Sequence, residues 1–248
     1  MQLIKVFSFD IFDTCLVRSC GLPSAVFDIL SLKILGKNAE RSALTDFAHE
    51  RINGEKLARK KYINGECEEV TLEQIYDCCD FTLFTKIDKS IIMNMELDIE
   101  REMLQPVYSI KERIDKLRSK GNRIVFISDI YLPEYFIKSI LNYYGLLKDK
   151  DQIYISSTVK KSKVTGNLYR FVRKDLSVKF YQWQHYGDNK YSDVNIPKKL
   201  GIHVKRVRNR FSIYENIIRD RDVSGFDNSL TRYAGLMRAT RLHFKGLS

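Results

Sequence analysis

Short runs of β-branched, aromatic and small residues alternate along this chain with longer segments whose apolar positions recur every three or four residues. The short runs are typical of buried strands, and the longer segments predict amphipathic helices. Alternation of this kind implies an α/β core in which helices cover a parallel sheet of about five strands. The predicted strands lie at residues 3–9, 123–128, 152–156, around His185, and at 202–207.

One long segment, residues 22–105, contains no convincing strand and interrupts this alternation. Within it, Thr71 and Gln74 occupy the two ends of a capping box that opens a helix. Residues 43–62 are rich in good helix formers, and residues 88–103 carry apolar side chains at helical spacing. The segment therefore predicts a group of helices placed between the first two strands of the core.

The domain division follows from this interruption. Residues 1–19 and 106–207 are predicted to form the α/β core, and residues 20–105 form the helical insertion. Residues 208–248 follow the last predicted strand as a basic extension of helical character.

Polar residues collect where the predicted strands end. Asp10 follows the first strand, Ser128 ends the next one, Lys163 lies in a basic loop after the third, and Asp188 follows the strand through His185, with Asp193 five residues later. In a parallel sheet these ends form the crevice that binds ligands. A simpler interpretation is also open, in which the carboxylates cap the helices that follow.

With these four ordered motifs the chain resembles the haloacid dehalogenase superfamily of aspartate-nucleophile hydrolases, over about residues 3–207. Within that superfamily it resembles the hydrolases associated with bacterial polysaccharide and glycosyltransferase systems. The resemblance implies a Rossmann-like three-layer core with a parallel sheet. It also implies that the all-helical insertion is a cap, which closes over the site and selects the substrate. On the cap, Arg51, Lys56 and Arg59 form either a solvated face or an anion clamp.

The resemblance also implies roles for individual residues. Asp10 would be the nucleophile, and Thr14 matches the threonine that the family carries four residues later. Ser128 would bind the transferring group together with the backbone N–H of Asp129. Lys163 would offset negative charge on the nucleophile and the substrate. Two neighbouring lysines, at positions 160 and 161, remain alternatives to it, and the S-K-x-x-G context favours Lys163.

A Mg²⁺ site is implied in the same way. Its ligands would be the Asp10 carboxylate, the Phe12 backbone carbonyl and the Asp188 carboxylate, with Asp193 in support. Oxygen ligands of this type suit Mg²⁺, which keeps several of its waters and needs few protein ligands.

Phe12 is a departure from the family pattern. Phosphatases of the superfamily carry an aspartate at this position, where it protonates the leaving oxygen and later activates water. Asp13 is one residue too late, while Thr14 is in register. Carbon–halogen hydrolases also lack this aspartate, but they lack the acidic metal pair as well. Phosphonate-cleaving relatives use a cap lysine, and transport ATPases place a threonine here. The pattern favours Mg²⁺-dependent phosphoryl chemistry with slow or substrate-assisted turnover.

Charge is concentrated near the end of the chain. The formal net charge is +11, and residues 198–248 hold 12 Lys and Arg against 4 Asp and Glu. Such an extension either docks a protein partner or forms a solvated helical face. It contains no recognisable nucleic-acid-binding motif, so nucleic acid is not an expected partner.

The remaining composition indicates a globular protein of the cytoplasm. There is no apolar run of about 18 residues to span a membrane, and the N-terminus lacks the apolar core of a secretory signal. The five cysteines form no CxxC pair, which favours reduced packing residues.

The predicted function is therefore a Mg²⁺-dependent phosphohydrolase or phosphotransferase that forms an aspartyl phosphate. Its substrate would be a small phosphorylated metabolite, with a sugar phosphate suggested by family association alone. Two alternatives remain, which are a catalytically weak module that binds a phosphorylated ligand and a nucleic-acid end phosphatase.

Overall fold

The computed structural model describes residues 4–209, 211–220 and 229–244. Its strands in chain order are β1 (Val6–Phe9), β2 (Leu16–Arg18), β3 (Leu104–Pro106), β4 (Arg123–Ser128), β5 (Gln152–Ile155), β6 (Trp183–Gly187) and β7 (His203–Arg206). Five of them form a parallel sheet in the order β5-β4-β1-β6-β7, which places β1 at the centre. The prediction of a parallel α/β core is confirmed; Leu3, included in the predicted first strand, lies outside the described residues.

Eleven α-helices are found within these described ranges. They are α1 (Ala25–Leu35), α2 (Arg41–Tyr62), α3 (Leu72–Asp77), α4 (Lys89–Met103), α5 (Tyr108–Arg118), α6 (Glu134–Tyr143), α7 (Ser156–Val159), α8 (Asn167–Leu176), α9 (Ile196–Lys199), α10 (Ile213–Asp220) and α11 (Ser229–Phe244).

Alternate side chains of the central strands bury into two separate cores. On β4, Ile124 and Phe126 belong to the larger core, which includes α5 and α6. Val125 and Ile127 point to the opposite face and pack with α8 around Trp183. Because successive side chains of a strand point to opposite faces, a strand buried on both sides needs apolar residues throughout. This explains why these strands read as continuous apolar runs.

Helices α1 to α4 form the insertion, which leaves the core after β2 and returns through β3. These two short strands pair antiparallel, with Leu16 opposite Pro106. The expectation of no strand within residues 22–105 is therefore wrong at Leu104 and Gln105. A three-residue strand that directly continues a helix is too short to show an alternating pattern, so the sequence carried no signal for it.

Arg51 lies inside the insertion and not on its surface. It is fully buried, its Nε atom lies 2.6 Å from Glu96 Oε2, and its guanidinium stacks among the rings of Phe27, Tyr76 and Tyr131. Neither the solvated face nor the anion clamp suggested for this residue applies. Since Tyr131 belongs to the core, this cluster joins the insertion to the core.

The described part of the C-terminal extension contains two helices, α10 and α11, which pack against each other. Helix α11 also contacts α5, β2 and β3. The buried residues Ala234, Ala239 and Leu242 form its inner face. Among the described helices, none combines the length and the apolar character that a membrane span requires.

Candidate active site

Two strand ends bring carboxylates together at the centre of the sheet. Asp10 follows β1, Asp188 follows β6, and these strands pair in register with Phe9 opposite Tyr186. The backbone N–H of Asp10 donates to Tyr186 O at 2.8 Å, which fixes the start of the loop after β1. Oxygen atoms of Asp10, Asp188 and Asp193 all lie within 4.8 Å of one another.

Asp193 reaches this cluster because of an unusual turn. The sequence predicts a helix over residues 191–200, but Lys190–Asn195 form a π-helical turn before the short α9. The side chain of Asp193 passes directly over Gly187, where a Cβ atom would lie 2.4 Å from the Cβ of Asp193. Only glycine leaves that space. The wider turn and the glycine together place Asp193 beside Asp188.

Lys163 is the lysine that enters the cluster. It is 3% exposed, and its Nζ atom donates to Asp10 Oδ1 at 2.6 Å and to Asp193 Oδ1 at 2.7 Å. Lys161 instead donates to the backbone carbonyl of Glu66. Lys160 ends α7 in the left-handed conformation. Of the three lysines in this loop, Lys163 is the one whose ammonium contacts Asp10.

The charges in this cluster depend strongly on one another. Burial raises the pKa of Asp10 well above its usual value, and Asp193 and Asp188 add to the shift while Lys163 opposes it. Burial would lower the pKa of Lys163, but Asp10 and Asp193 outweigh it and raise that pKa, so the side chain remains an ammonium. Burial, Asp13 and Asp193 raise the pKa of Asp188 to about 6.

Asp193 is the most strongly acidic of the three carboxyl groups. Burial would raise its pKa, but the Lys163 ammonium and the hydrogen bond with His185 more than offset this effect and hold the pKa below its usual value. The site therefore contains the Asp193 anion and the Lys163 cation. A further cation would stabilise the ionised forms of the other two carboxyl groups, Asp10 and Asp188.

Asp129 fixes the loop that carries Lys163. Its carboxylate accepts hydrogen bonds from Ser162 Oγ at 2.8 Å and from the backbone N–H of Lys163 at 2.8 Å. Glu68 of the insertion supports the same loop by accepting from Ser162 N at 2.9 Å and Thr165 Oγ1 at 2.6 Å. Sequence reasoning assigned only the backbone N–H of Asp129 to the site, and it missed the role of this carboxylate.

His185 supports Asp193 from beneath the site. Trp183 Nε1 donates to Ser8 Oγ at 2.6 Å, and Ser8 Oγ lies 2.6 Å from His185 Nδ1. Tyr169 donates its hydroxyl proton to Ser192 O at 2.9 Å and accepts from His185 Nε2 at 3.1 Å.

These bonds define the tautomer of the imidazole. Burial lowers the pKa of His185, so the ring is neutral. Its single proton lies on Nε2, which also faces Asp193 Oδ1 at 3.3 Å, and Nδ1 accepts from Ser8. Sequence reasoning missed this role because a histidine within a strand reads as a core residue. The position of His185 opposite Ser8 on the neighbouring strand would have revealed this role, but it requires the strand register.

The other predicted site residues line or support the loop after β1. The Phe12 ring lies 4.6 Å from the guanidinium carbon of Arg18, which pairs with Glu100 at 2.9 Å. Thr14 is fully buried, and its Oγ1 has no hydrogen-bond partner among the residues that the structure describes. Ser128 ends β4, next to β1 in the sheet, and is also buried.

A cavity of about 500 Å³ opens between this loop and the insertion. The core contributes Phe12, Asp13 and Asp129 to its lining, and helix α2 contributes Lys56 and Arg59. The further lining residues are Arg18, Pro23, Ser24, Phe27, Ile52, Glu55, Ile130 and Tyr131. A molecule in this cavity would contact the core and the insertion at once.

The donor atoms of the cluster fit a hard divalent cation. Asp10, Asp188 and Asp193 offer only oxygen, and a cation among them would lower the repulsion that raises the pKa of Asp10 and Asp188. Mg²⁺ prefers such ligands and needs only a few from the protein. The residues are therefore suited to hold Mg²⁺.

No protein-family model and no curated protein matches this sequence. Solved structures do match its fold. The L-2-haloacid dehalogenase from Xanthobacter autotrophicus superposes with a TM-score of 0.60 at 14% identity, covering 94% of this chain and 88% of that chain. A haloacid dehalogenase family enzyme from Bacteroides thetaiotaomicron, in complex with magnesium and inorganic phosphate, gives a TM-score of 0.56 at 16% identity, covering 83% and 94% respectively. At these identities the likeness concerns the fold.

Proposed function

We propose that this chain, which has the fold of the haloacid dehalogenase superfamily, is a Mg²⁺-dependent phosphohydrolase or phosphotransferase. In this proposal it acts through an aspartyl-phosphate intermediate at Asp10. The substrate is a small phosphorylated metabolite, and a sugar phosphate is the form that the resemblance to polysaccharide-associated hydrolases favours.

The observation that supports this proposal most strongly is the position of Lys163 between two carboxylates of the cluster. Its ammonium lies 2.6 Å from Asp10 and 2.7 Å from Asp193, while Asp188 completes a set of oxygen donors within 4.8 Å. A nucleophilic carboxylate beside a fixed ammonium and a cation site has what attack on an anionic phosphate requires. The B. thetaiotaomicron structure with magnesium and inorganic phosphate agrees with this choice of ligand class.

The proposed reaction has two steps. An oxygen of Asp10 attacks the phosphorus, the bond from phosphorus to the leaving oxygen breaks, and that oxygen takes a proton from solvent. A water molecule then attacks the phosphorus of the aspartyl phosphate, which releases inorganic phosphate and restores the Asp10 carboxylate. An acceptor hydroxyl in place of water would give phosphotransfer.

In both steps Lys163 stabilises negative charge beside Asp10 without giving up its proton, since its pKa is raised. Ser128 and the backbone N–H of Asp129 are proposed to bind the transferring group at the end of β4. When bound at Asp10, the Phe12 carbonyl, Asp188 and Asp193, Mg²⁺ would supply the charge that offsets the phosphoryl oxygens.

A panel of phosphorylated metabolites and a generic aryl phosphate, each assayed with and without Mg²⁺, tests the proposal. We expect chelation to lower turnover of the aryl phosphate by about tenfold or more, and Mg²⁺ or Mn²⁺ to restore it. Full activity in excess chelator would remove the metal from the mechanism. A halogenated carboxylic acid belongs in the same panel, since its turnover under chelation would favour carbon–halogen hydrolysis.

The cavity leads to a prediction for the insertion. Lys56 is exposed and lines the cavity, so its ammonium is placed to contact a second anionic group on a substrate. We expect Lys56→Ala to lower kcat/KM several-fold, corresponding to about 1 kcal/mol, for sugar bisphosphates but not for an aryl phosphate.

Lys60→Ala is the matched control, because Lys60 lies on the same helix, is exposed and does not line the cavity. Equal losses for both substrates, or equal losses from both lysine variants, would argue against a substrate contact at Lys56.

One feature favours a second candidate function, a module that binds a phosphorylated ligand with little turnover. Phe12 provides no group for proton transfer. The residues proposed for attack on phosphorus are therefore present, but position 12 offers no group to activate the water of the second step. Calorimetric binding of inorganic phosphate in the presence of Mg²⁺, combined with no turnover anywhere in the panel, would select this alternative.

A further inference from the structure

The C-terminal extension contacts the nucleophile loop, which is residues 10–15 between β1 and β2 and begins with Asp10. Asn209, which follows β7, donates its side-chain amide to Thr14 O at 2.9 Å and to Asp13 O at 3.2 Å. Asn209 is 6% exposed, so these bonds are shielded from water. Two consecutive carbonyls, three and four residues beyond Asp10, are thus held by a residue three positions beyond the end of β7.

Arg238 on α11 completes the attachment. Its guanidinium forms an ion pair with the Asp13 carboxylate, and its Nε atom donates to Asn209 O at 2.7 Å. The same guanidinium lies 4.8 Å from the ring centre of Phe211. Arg238 is 5% exposed, which is unusual for an arginine on a helix at the end of a basic chain. One side chain therefore joins α11, the segment after β7 and the nucleophile loop.

The backbone of α11 also lies directly on this region. A Cβ atom on Gly235 would come within 2.3 Å of Gly21 N and 2.6 Å of Ser19 O. Such an approach leaves no room for water or for any other side chain. The contact between α11 and the segment after β2 is thus closely packed, and Arg238 lies one turn of helix beyond it.

Asp13 is a residue whose conformation needs support. Its φ angle is +56°, in the left-handed region that residues other than glycine adopt uncommonly, although aspartate does so more often than most. Asp13 directly follows Phe12, and its φ angle is one of the two backbone angles that orient the peptide plane of the Phe12 carbonyl. Strained residues of this kind persist when surrounding contacts hold them.

We propose that α11 supports the active site through Arg238. This arginine is a positioning residue that fixes the conformation of the nucleophile loop through its contacts with Asp13 and Asn209. This inference rests on the proposed function for its catalytic consequence, but its structural part does not. In this proposal the basic extension stabilises the nucleophile loop of its own chain, and Arg238 on the inner face of α11 has Asp13 as its partner.

The test compares full-length variants by hydrogen exchange and by kinetics. Arg238→Met removes the ion pair and keeps the length of the side chain. Arg238→Lys keeps the charge but cannot reach Asp13 and Asn209 in the same forked geometry. Arg232→Met is the matched control, since Arg232 is an exposed arginine on the same helix. Asp13→Asn breaks the same pair from the other side, should Arg238→Met fold poorly.

Hydrogen exchange measures the loop directly. The amides of Cys15 and Leu16 both donate to Ile11 O, so their exchange reports on the order of the nucleophile loop. We expect Arg238→Met to speed exchange in the peptide covering residues 10–16 about threefold or more. Arg238→Lys should give an intermediate rate, and Arg232→Met the wild-type rate. Exchange in β4 should not change in any variant.

The kinetic measurement tests the consequence for the proposed reaction. With an aryl phosphate and Mg²⁺, we expect Arg238→Met to lower kcat about tenfold and to change KM less than about twofold, because Arg238 does not itself line the cavity and acts on the loop that carries Asp10. Lys at this position should restore part of the rate.

The outcomes separate the two claims. Unchanged exchange in residues 10–16 for Arg238→Met, or an equal change in Arg232→Met, would overturn the positioning role. Faster exchange with an unchanged kcat would overturn the catalytic consequence. If the wild-type chain does not turn over any phosphate, the proposed function fails, and the exchange result still decides whether Arg238 orders the loop.

Discussion

Asp10→Asn is expected to reduce turnover of an aryl phosphate to below about one thousandth of the wild-type rate, since removal of a nucleophile commonly costs this much or more. The amide cannot form the aspartyl phosphate. Neither Asp188 nor Asp193 can replace it, because the first follows a different strand and the second is committed to Lys163 and His185. The measurement is steady-state release of the phenol in saturating Mg²⁺.

Loss of a buried charge could also disturb folding, so the measurement needs a control. Asp175→Asn makes the same chemical change at an exposed residue of α8, where the carboxylate accepts a hydrogen bond from Tyr154 at 2.5 Å, away from the site, so it controls for the substitution itself and not for burial. We expect that variant to retain full activity. Circular dichroism and thermal unfolding would show that Asp10→Asn remains folded. Undiminished turnover in a folded Asp10→Asn would remove Asp10 as the nucleophile.

Phe12→Asp is expected to raise the turnover of an activated aryl phosphate by about tenfold, within the range of rate gains that a general acid–base provides. With such a substrate the leaving group needs little protonation, so breakdown of the aspartyl phosphate limits the wild-type rate. A carboxylate at position 12 would activate the water for that step. We therefore expect the wild type to show a burst of product followed by slow turnover, and the burst to disappear in the variant.

The surroundings of Phe12 allow the new carboxylate to fit. The ring is partly exposed to the cavity, so the smaller Asp side chain can replace it without entering the core, and the position lies close to the Arg18 guanidinium, which is already paired with Glu100. Phe12→Asn is the matched control, because its side chain has the same size as Asp but cannot transfer a proton at neutral pH. A similar gain from both variants would attribute the effect to lost packing and contradict an acid–base role.

Much of the core and part of the site could be predicted from the sequence. β4 reads as a continuous apolar run because it is buried on both faces, and its bounds were found to the residue. Asp10 and Asp188 were located because the side chain that follows a buried strand must lie at the ligand-binding edge. Lys163 was separated from its neighbours by motif context, and the structure gives its geometry.

What the sequence could not show arises from contacts between distant segments. The β2–β3 pair joins residues 16–18 to 104–106, and neither strand is long enough to have a period. Asp193 reaches the site because residues 190–195 form a π-helical turn, whereas the sequence of this segment predicts an ordinary helix. Arg238 and Asn209 act on Asp13 across roughly 200 residues of chain. Only the folded chain shows that these polar residues face inward.

The position of β1 at the centre of the sheet has a consequence for how the protein forms during synthesis. Val6 pairs with Arg123 on one side and with Trp183 on the other. The strand that precedes Asp10 leaves the ribosome before the strands it pairs with, so it has no sheet partner until the chain has grown past β4. Helices α1 to α4 make mostly local contacts and are expected to fold earlier. Until β4 has been synthesised, the backbone groups of β1 have no partner strand. During that time β1 must be protected from pairing with strands of other chains.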